Sequence, residues 1–255
     1  GFNSVVAVGN AYASGADSFA AAIASNSASY GATGSNSVAI GAGLAKATSS
    51  RAMAFGNNAI ASGADSVAIG RSTDATASSA FAFGYHCLAS GNNSFATGYQ
   101  SKAATIGKAA YASGSFSGSY DGDAQQGTYV LRSDTTDATA EALTTNNGTA
   151  GTTNQIILSN TSALSFHGTI VAREDATDGT DCAAWEVKGL IRREASASTT
   201  TLVNSSITVV DNTPSWGMAL SADTTNGCLK IQVTGAASTN IRWVATIHTS
   251  EVIYA

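Results

Sequence analysis

No stretch of 18 apolar residues occurs in the 255-residue sequence, which excludes a transmembrane helix of ordinary length. A basic-then-apolar secretory leader is also missing. The first residue is Gly1 rather than Met, so the expectation is a processed chain, a tag scar or a piece of something longer. Charge is scarce. Asp, Glu, Lys and Arg make up 11% of the residues, and the formal net charge is -5. Residues 1–116 hold five basic and three acidic groups, and residues 117–255 hold seven and fourteen. No strongly basic face results, so DNA and RNA are not expected partners. Proline occurs once. The three cysteines, Cys87, Cys182 and Cys228, form no CxxC pair and are too few for a disulfide framework. They read as buried apolar thiols, with a Cys182–Cys228 disulfide left open.

Ala, Ser, Thr, Asn and Gly fill the space that charge and bulk leave. Such a composition suits disorder, but Val, Ile and Phe recur too regularly for a chain that cannot offset its ordering entropy. "SVVAVG" starts at Ser4, "SVAIG" at Ser37, "AMAFG" at Ala52, "SVAIG" at Ser66, "AFAFG" at Ala80 and "SFATG" at Ser94. The last four starts are 14 residues apart, and Ser37 to Ala52 spans 15. A second phrase alternates with the first: "ASGAD" at 13–17 and 61–65, "ATGSN" at 32–36, "ASGNN" at 89–93. A degenerate row starts at Ser18, with a five-residue surplus before Ser37.

A 14-residue period is too short for helix-pair repeats. The scarcity of leucine and of charged flanking positions excludes a coiled coil. Two short strands and two tight turns fit it, with glycine supplying the corners. Strand parity then sorts the side chains. Val67 and Ile69 point one way, and Ser66, Ala68 and Gly70 the other. Phe81 and Phe83 oppose Ala80, Ala82 and Gly84 in the same manner. Coils stacked about 4.8 Å apart must match one another, and the product is a solenoid in which each unit leans on its neighbours. Its interior admits only small side chains. The large apolar row faces outward, and an exposed ladder of that kind marks an interface. The roll is therefore expected to be an oligomer.

"NSVAIG", "SGADSVAIG" and "SGNNSFATG" closely resemble the YadA-like head repeat of trimeric autotransporter adhesins. The resemblance covers residues 4–116. It implies a left-handed parallel β-roll, three chains about one axis and a role in surface attachment. Rows 18–36 and 42–51 depart from the period, so a loop or bulge is expected in each.

After "SGSFSGSYDGDAQQG" at 113–127 the pattern changes. Residues 117–127 read as a linker and 128–255 as a second domain. In "ALSFHGTIVAR", Leu164, Phe166, Gly168, Ile170 and Ala172 alternate with Ser165, His167, Thr169, Val171 and Arg173. Trp185, Val187 and Ile191 oppose Glu186, Lys188 and Arg192. Leu229, Ile231 and Val233 share one face, as do Ile241, Trp243, Ala245 and Ile247. "TYVLR", "NQIIL", "SITVV" and "WGMAL" complete eight or nine strands without an amphipathic helix, which predicts an antiparallel β-sandwich or jelly roll. "TYVLR", "IVARED…AAWEVKG", "LSADTTNGCLKIQVTG" and "IRWVATIHTSEV" make this half resemble a C-terminal domain of bacteriophage tail fibres, marine ones especially. That resemblance brings no catalytic assignment.

Candidate chemistry is thin. Glu174, Asp175, Asp178 and Asp181 crowd "REDATDGTD" and suit either calcium or a solvated hairpin turn, though the spacing is not an EF-hand. Paired carboxylates are also what a glycosidase needs, but these lie in one hydrophilic turn with nothing apolar to raise a pKa. His86, His167 and His248 form no HxxxH pair. A histidine repeated three times about a trimer axis could bind a metal, but His167 and His248 fall on the polar faces of their strands and read as plain exposed or interfacial residues. Trp185 and Trp243 read as core. Trp216, after the only proline, reads either as a cap on the core or as a glycan contact. No catalytic residue, cofactor site or metal site is assigned.

The expected function is a bacteriophage tail fibre or spike on the virion. It would be a homotrimer joined to other tail proteins and would meet a host glycan or protein through a receptor-binding or trimer-capping end domain, without inserting into a membrane. Two alternatives stand beside it. One is a passenger fragment of a trimeric autotransporter adhesin at the bacterial surface; the coiled-coil stalk and membrane strands of that family are not seen up to "HTSEVIYA", though a shortened chain would hide them. The other is a polysaccharide-depolymerising tailspike.

Overall fold

The computed structural model describes residues 3–7, 11–22, 29–116, 118 and 121–254, with 5–7 as backbone alone. The chain divides into two compact units, Gly1–Ala104 with Lys108–Gln125, and Thr105–Gly107 with Gln126–Ala255.

The first unit winds as a parallel β-solenoid of about six turns. One face stacks the longer strands Val38–Ile40, Met53–Phe55, Val67–Arg71, Phe81–Tyr85, Phe95–Tyr99 and Ala109–Ser113. The other stacks two-residue strands, among them Lys46–Ala47, Ile60–Ala61, Asp74–Ala75 and Leu88–Ala89. Pairing follows the sequence period: Val67, Phe81 and Phe95 lie side by side, as do Ala68, Ala82 and Ala96. The interior is built of alanine. Ala39, Ala54, Ala68, Ala82 and Ala96 from one face meet Ala47, Ala61, Ala75, Ala89 and Ala103 from the other, all with no exposed surface. Backbone hydrogen bonds between coils carry the cohesion that so thin a core cannot supply. Val67 N–H donates to Ala80 O at 2.9 Å, and Phe81 N–H donates to Ser94 O at 2.9 Å.

Each coil turns at two left-handed residues seven positions apart: Arg51 and Asn58, Asp65 and Ser72, Ser79 and His86, Asn93 and Gln100. Beside these corners stands a column of glycines. At Gly70 φ is +127°, and a Cβ there would lie 1.9 Å from the carbonyl oxygen of Gly84. The glycine that ends each "SVAIG" phrase is thus required by the spacing between coils. The one-residue surplus falls between Ile40 and Lys46, where Gly43 takes φ +78° and Leu44 N–H donates to Asn58 Oδ1 at 3.1 Å. This is a bulge beginning at the edge of the row in which the sequence predicts one. The five-residue surplus lies between Ala21 and Gly31, and residues 23–28 within it are outside the described residues.

Among the described residues the second unit has nine strands: β1 (Ala124–Thr135), β2 (Ala140–Ala142), β3 (Ile156–Ile157), β4 (Ser162–Glu174), β5 (Cys182–Arg193), β6 (Thr201–Asp211), β7 (Gly217–Asp223), β8 (Cys228–Thr234) and β9 (Ile241–Ile253). One sheet runs in the order β1-β9-β4-β5-β6, with β9, β4, β5 and β6 successively antiparallel. In the other sheet β8 pairs antiparallel with β2, β3 and β7. The inner faces share one core. Phe166 and Ile170 of β4, Trp185 of β5 and Trp243 of β9 meet Leu229, Ile231 and Val233 of β8. These are the alternating residues that the sequence places inward, and the two-layer antiparallel arrangement is the expected sandwich. Strand β2, "AEA", is not predicted by its composition; it forms because β8 offers an edge.

Candidate functional site

In the first unit the candidate site is the outward face of the longer strands. Phe83 is 49% exposed and Phe95 40%, and Met53, Tyr99 and Tyr111 are also exposed. Phe81 stacks on Phe95 at 5.3 Å between centroids, and Tyr85 lies 5.0 Å from Tyr99. The Arg71 guanidinium sits 5.2 Å from the centre of the Tyr85 ring. Because alanine fills the interior, these rings find no place inside their own chain. The result is an outward row of large apolar side chains of the kind that marks a contact surface. The face of the two-residue strands presents Lys46, Ile60, Asp74, Leu88 and Lys102 instead, a mixed row with no such character. Coils are further tied at an exposed corner by the paired Arg51 and Asp65, where the guanidinium beside Asp65 holds its carboxyl below the usual carboxylate range.

In the second unit the "REDATDGTD" segment forms the hairpin between β4 and β5; Glu174 and Asp175 bond within that turn and Asp178 bonds the β8–β9 loop. Asp175 Oδ1 accepts from Thr177 N–H at 2.9 Å and from the Thr177 hydroxyl at 2.8 Å. Those bonds, the backbone one foremost, hold the Asp175 carboxyl below its ordinary range. Asp178 Oδ2 accepts from Asn240 N–H at 2.7 Å and from Asn240 Nδ2 at 2.9 Å. Glu174 Oε2 accepts from Asp181 N–H at 3.1 Å. Among the described residues no group of three or more His, Cys, Asp or Glu is placed to share a metal ion. Beside the hairpin lies a groove of about 440 Å³ lined by Asp134, Arg173, Glu174, Asp175 and Arg242.

Trp216 does not offer a platform for a sugar ring. It is 5% exposed, and its ring meets Trp243 edge-on at 5.7 Å. Asn212 clamps it from both sides, accepting from Trp216 N–H and donating to Trp216 O, each at 2.8 Å. The turn after Pro214 drives the indole inward, so the core-capping role holds and the glycan contact does not. Trp185 and Trp243 stack at 5.7 Å in the core, as expected. Cys87 and Cys228 are buried, but Cys182 is exposed at the start of β5, and all three are free. The Cys182–Cys228 disulfide is therefore not formed.

His167 and His248 are both exposed on the outer face of their sheet, which agrees with their strand parity. Sequence reading missed that they stand directly opposite each other in the β4–β9 register. A signal was available in the alternate residues of "SFHGTIVAR", which reappear in reverse order in "RWVATIHTS".

The family model described as the YadA head domain repeat (2 copies) matches residues 47–73, 61–86, 75–101 and 89–105. YadA head domain repeats are thus found over residues 47–105, within the 4–116 where the phrase recurs and on the coils where its period is strictest. No curated protein matches the sequence.

Proposed function

From repeats that point to trimeric adhesin-like proteins, we propose that three copies of the chain assemble into a host-attachment fibre or spike of a bacteriophage tail. The outward ladder of Phe81, Phe83 and Phe95 carries this reading. Alanine fills the interior of the coil, so the aromatic row is available to pack between copies. The second unit serves as the receptor-binding or trimer-capping end, and its sequence resemblance to tail-fibre domains supports the viral setting. Its strand β6 supports the capping role. It is an outer strand of its sheet, with Val203, Ile207, Val209 and Val210 all exposed, and such an edge invites pairing with another chain. The YadA head repeats themselves favour the second reading, an adhesin displayed at the bacterial surface.

Attachment in this account is binding without catalysis, and in the β4–β5 hairpin Glu174 and Asp175 bond within the turn while Asp178 bonds Asn240. Three weak sites on one fibre act together, so surface affinity exceeds that of a single site. Labelled protein titrated onto bacterial cells and immobilised cell-surface glycans should bind saturably. Dissociating the copies with Phe83→Asp and Phe95→Asp should weaken binding by about a hundredfold or more. Absence of binding to any surface, or equal binding by the dissociated variant, contradicts the proposal.

A further inference from the structure

Along the outer face of β4 and β9, from Ser165 to Arg173, each side chain meets its own kind. Ser165 lies opposite Ser250, His167 opposite His248, Thr169 opposite Thr246, Val171 opposite Val244 and Arg173 opposite Arg242. Two of these five pairs set like ionisable groups against each other, which sheets ordinarily avoid because like charges directly opposed are destabilising. For the imidazoles there is a chemical use for the opposition.

The two rings are 5.4 Å apart between centroids and tilted by 32°. Two imidazoles bound to one tetrahedral ion at about 2.0–2.1 Å place their ring centres roughly 5 Å apart. The backbone therefore already holds the rings at a chelating separation. That backbone is rigid, since β5 flanks β4 and β1 flanks β9. His248 also has the outer partner that a ligating imidazole requires: Thr128 Oγ1 lies 3.1 Å from its Nδ1. An Nδ1–H donated to that hydroxyl leaves the lone pair on Nε2, the arrangement that fixes tautomer and ring orientation in metal-bound histidines. A shallow groove of about 300 Å³ adjoins His167 and is lined by Glu186, Lys188, Ser206 and Thr208. It gives an ion bound at His167 room for water.

We propose that His167 and His248 form a binding site for a divalent transition-metal ion with affinity for imidazole, such as Zn²⁺, Ni²⁺ or Cu²⁺, with water completing its coordination. Both ligands come from one chain. Imidazole suits these metals, whereas Ca²⁺ and Mg²⁺ prefer oxygen, so the site discriminates between the two groups.

Isothermal titration of the full chain with NiCl₂ and ZnCl₂ in chelator-free buffer tests the proposal. One ion per chain is expected, in the micromolar range, with no heat from CaCl₂. His167→Gln and His248→Gln should each weaken binding by at least about tenfold. His86→Gln, in the other unit, should leave it unchanged. Both sites of substitution are exposed, so a circular dichroism spectrum identical to that of the native chain certifies each variant. Absence of binding by the native chain, or binding that survives both substitutions, overturns the proposal.

Discussion

Phe81 and Phe95 hold the same place in successive coils, and their rings stack at 5.3 Å on the outside of the roll. Their neighbours inside are alanines with no exposed surface. This inversion, small residues within and large ones without, is what makes one copy of the solenoid incomplete. Replacing Phe83 and Phe95 by Asp should therefore leave the strand content of the isolated chain intact by circular dichroism. Association should weaken by at least about 2 kcal/mol per site if these are central contacts, read as a shift of the mass distribution towards single chains on dilution. Loss of strand content together with association would place the rings in the fold rather than between copies.

The glycine column predicts a sharp contrast. Gly70→Ala forces a Cβ against Gly84 O at a φ that side chains rarely adopt. It should cost at least about 3 kcal/mol. Gly107→Ala has φ +69° and no atom within 4 Å of the new Cβ, so it should cost only about 1 kcal/mol. Thermal melts of the two variants check this. Equal losses would contradict the close approach of successive coils.

Much of this architecture is legible in the sequence because short-range physics dictates it. Strict periodicity fixes the coil length, strand parity separates Ala68 from Val67 and Ile69, and alternation puts Trp185 and Trp243 in the core. What escapes depends on pairing. The opposition of His167 and His248 exists only once β4 and β9 are neighbours in a particular register. Strand β2 has no preference of its own and is imposed by β8. Trp216 follows a proline and precedes a strand, a position that leaves its direction open until the Asn212 clamp is seen. Cys182 reads as an apolar thiol but lies at the mouth of a polar hairpin.

Stability of the first unit should rise as pH falls below neutrality. Burial, and then repulsion from Asp121, raises the Asp74 carboxyl above its ordinary range, and burial raises Asp121 as well. The folded state thus binds these protons more tightly than the unfolded chain. Their stabilising contribution is full below the unfolded carboxylate value of about 3.9 and is lost as pH rises through the higher folded values. Asp74→Asn keeps a neutral group at every pH. It should melt above the native chain at pH 7 and lose that advantage at acid pH. Asp65→Asn removes only an exposed pair and should change little. A native melting temperature that climbs from pH 4 to pH 7 and falls with Asp74→Asn would contradict this assignment.

The cysteines should divide cleanly. Burial pushes the Cys228 thiol up to about 12, and Cys87 is 1% exposed. Cys182 is open to solvent. A thiol reagent at pH 8 should modify one cysteine per native chain, mapped to Cys182, and all three after denaturation. Finding none modified in the native chain would indicate that Cys182 is covered or oxidised.

Solution mass by light scattering at neutral pH tests the central claim most directly, since everything turns on what covers the aromatic ladder. The account predicts three times the chain mass of 25.4 kDa, stable on dilution. A single-chain mass would leave Phe83 and Phe95 facing water and would contradict it.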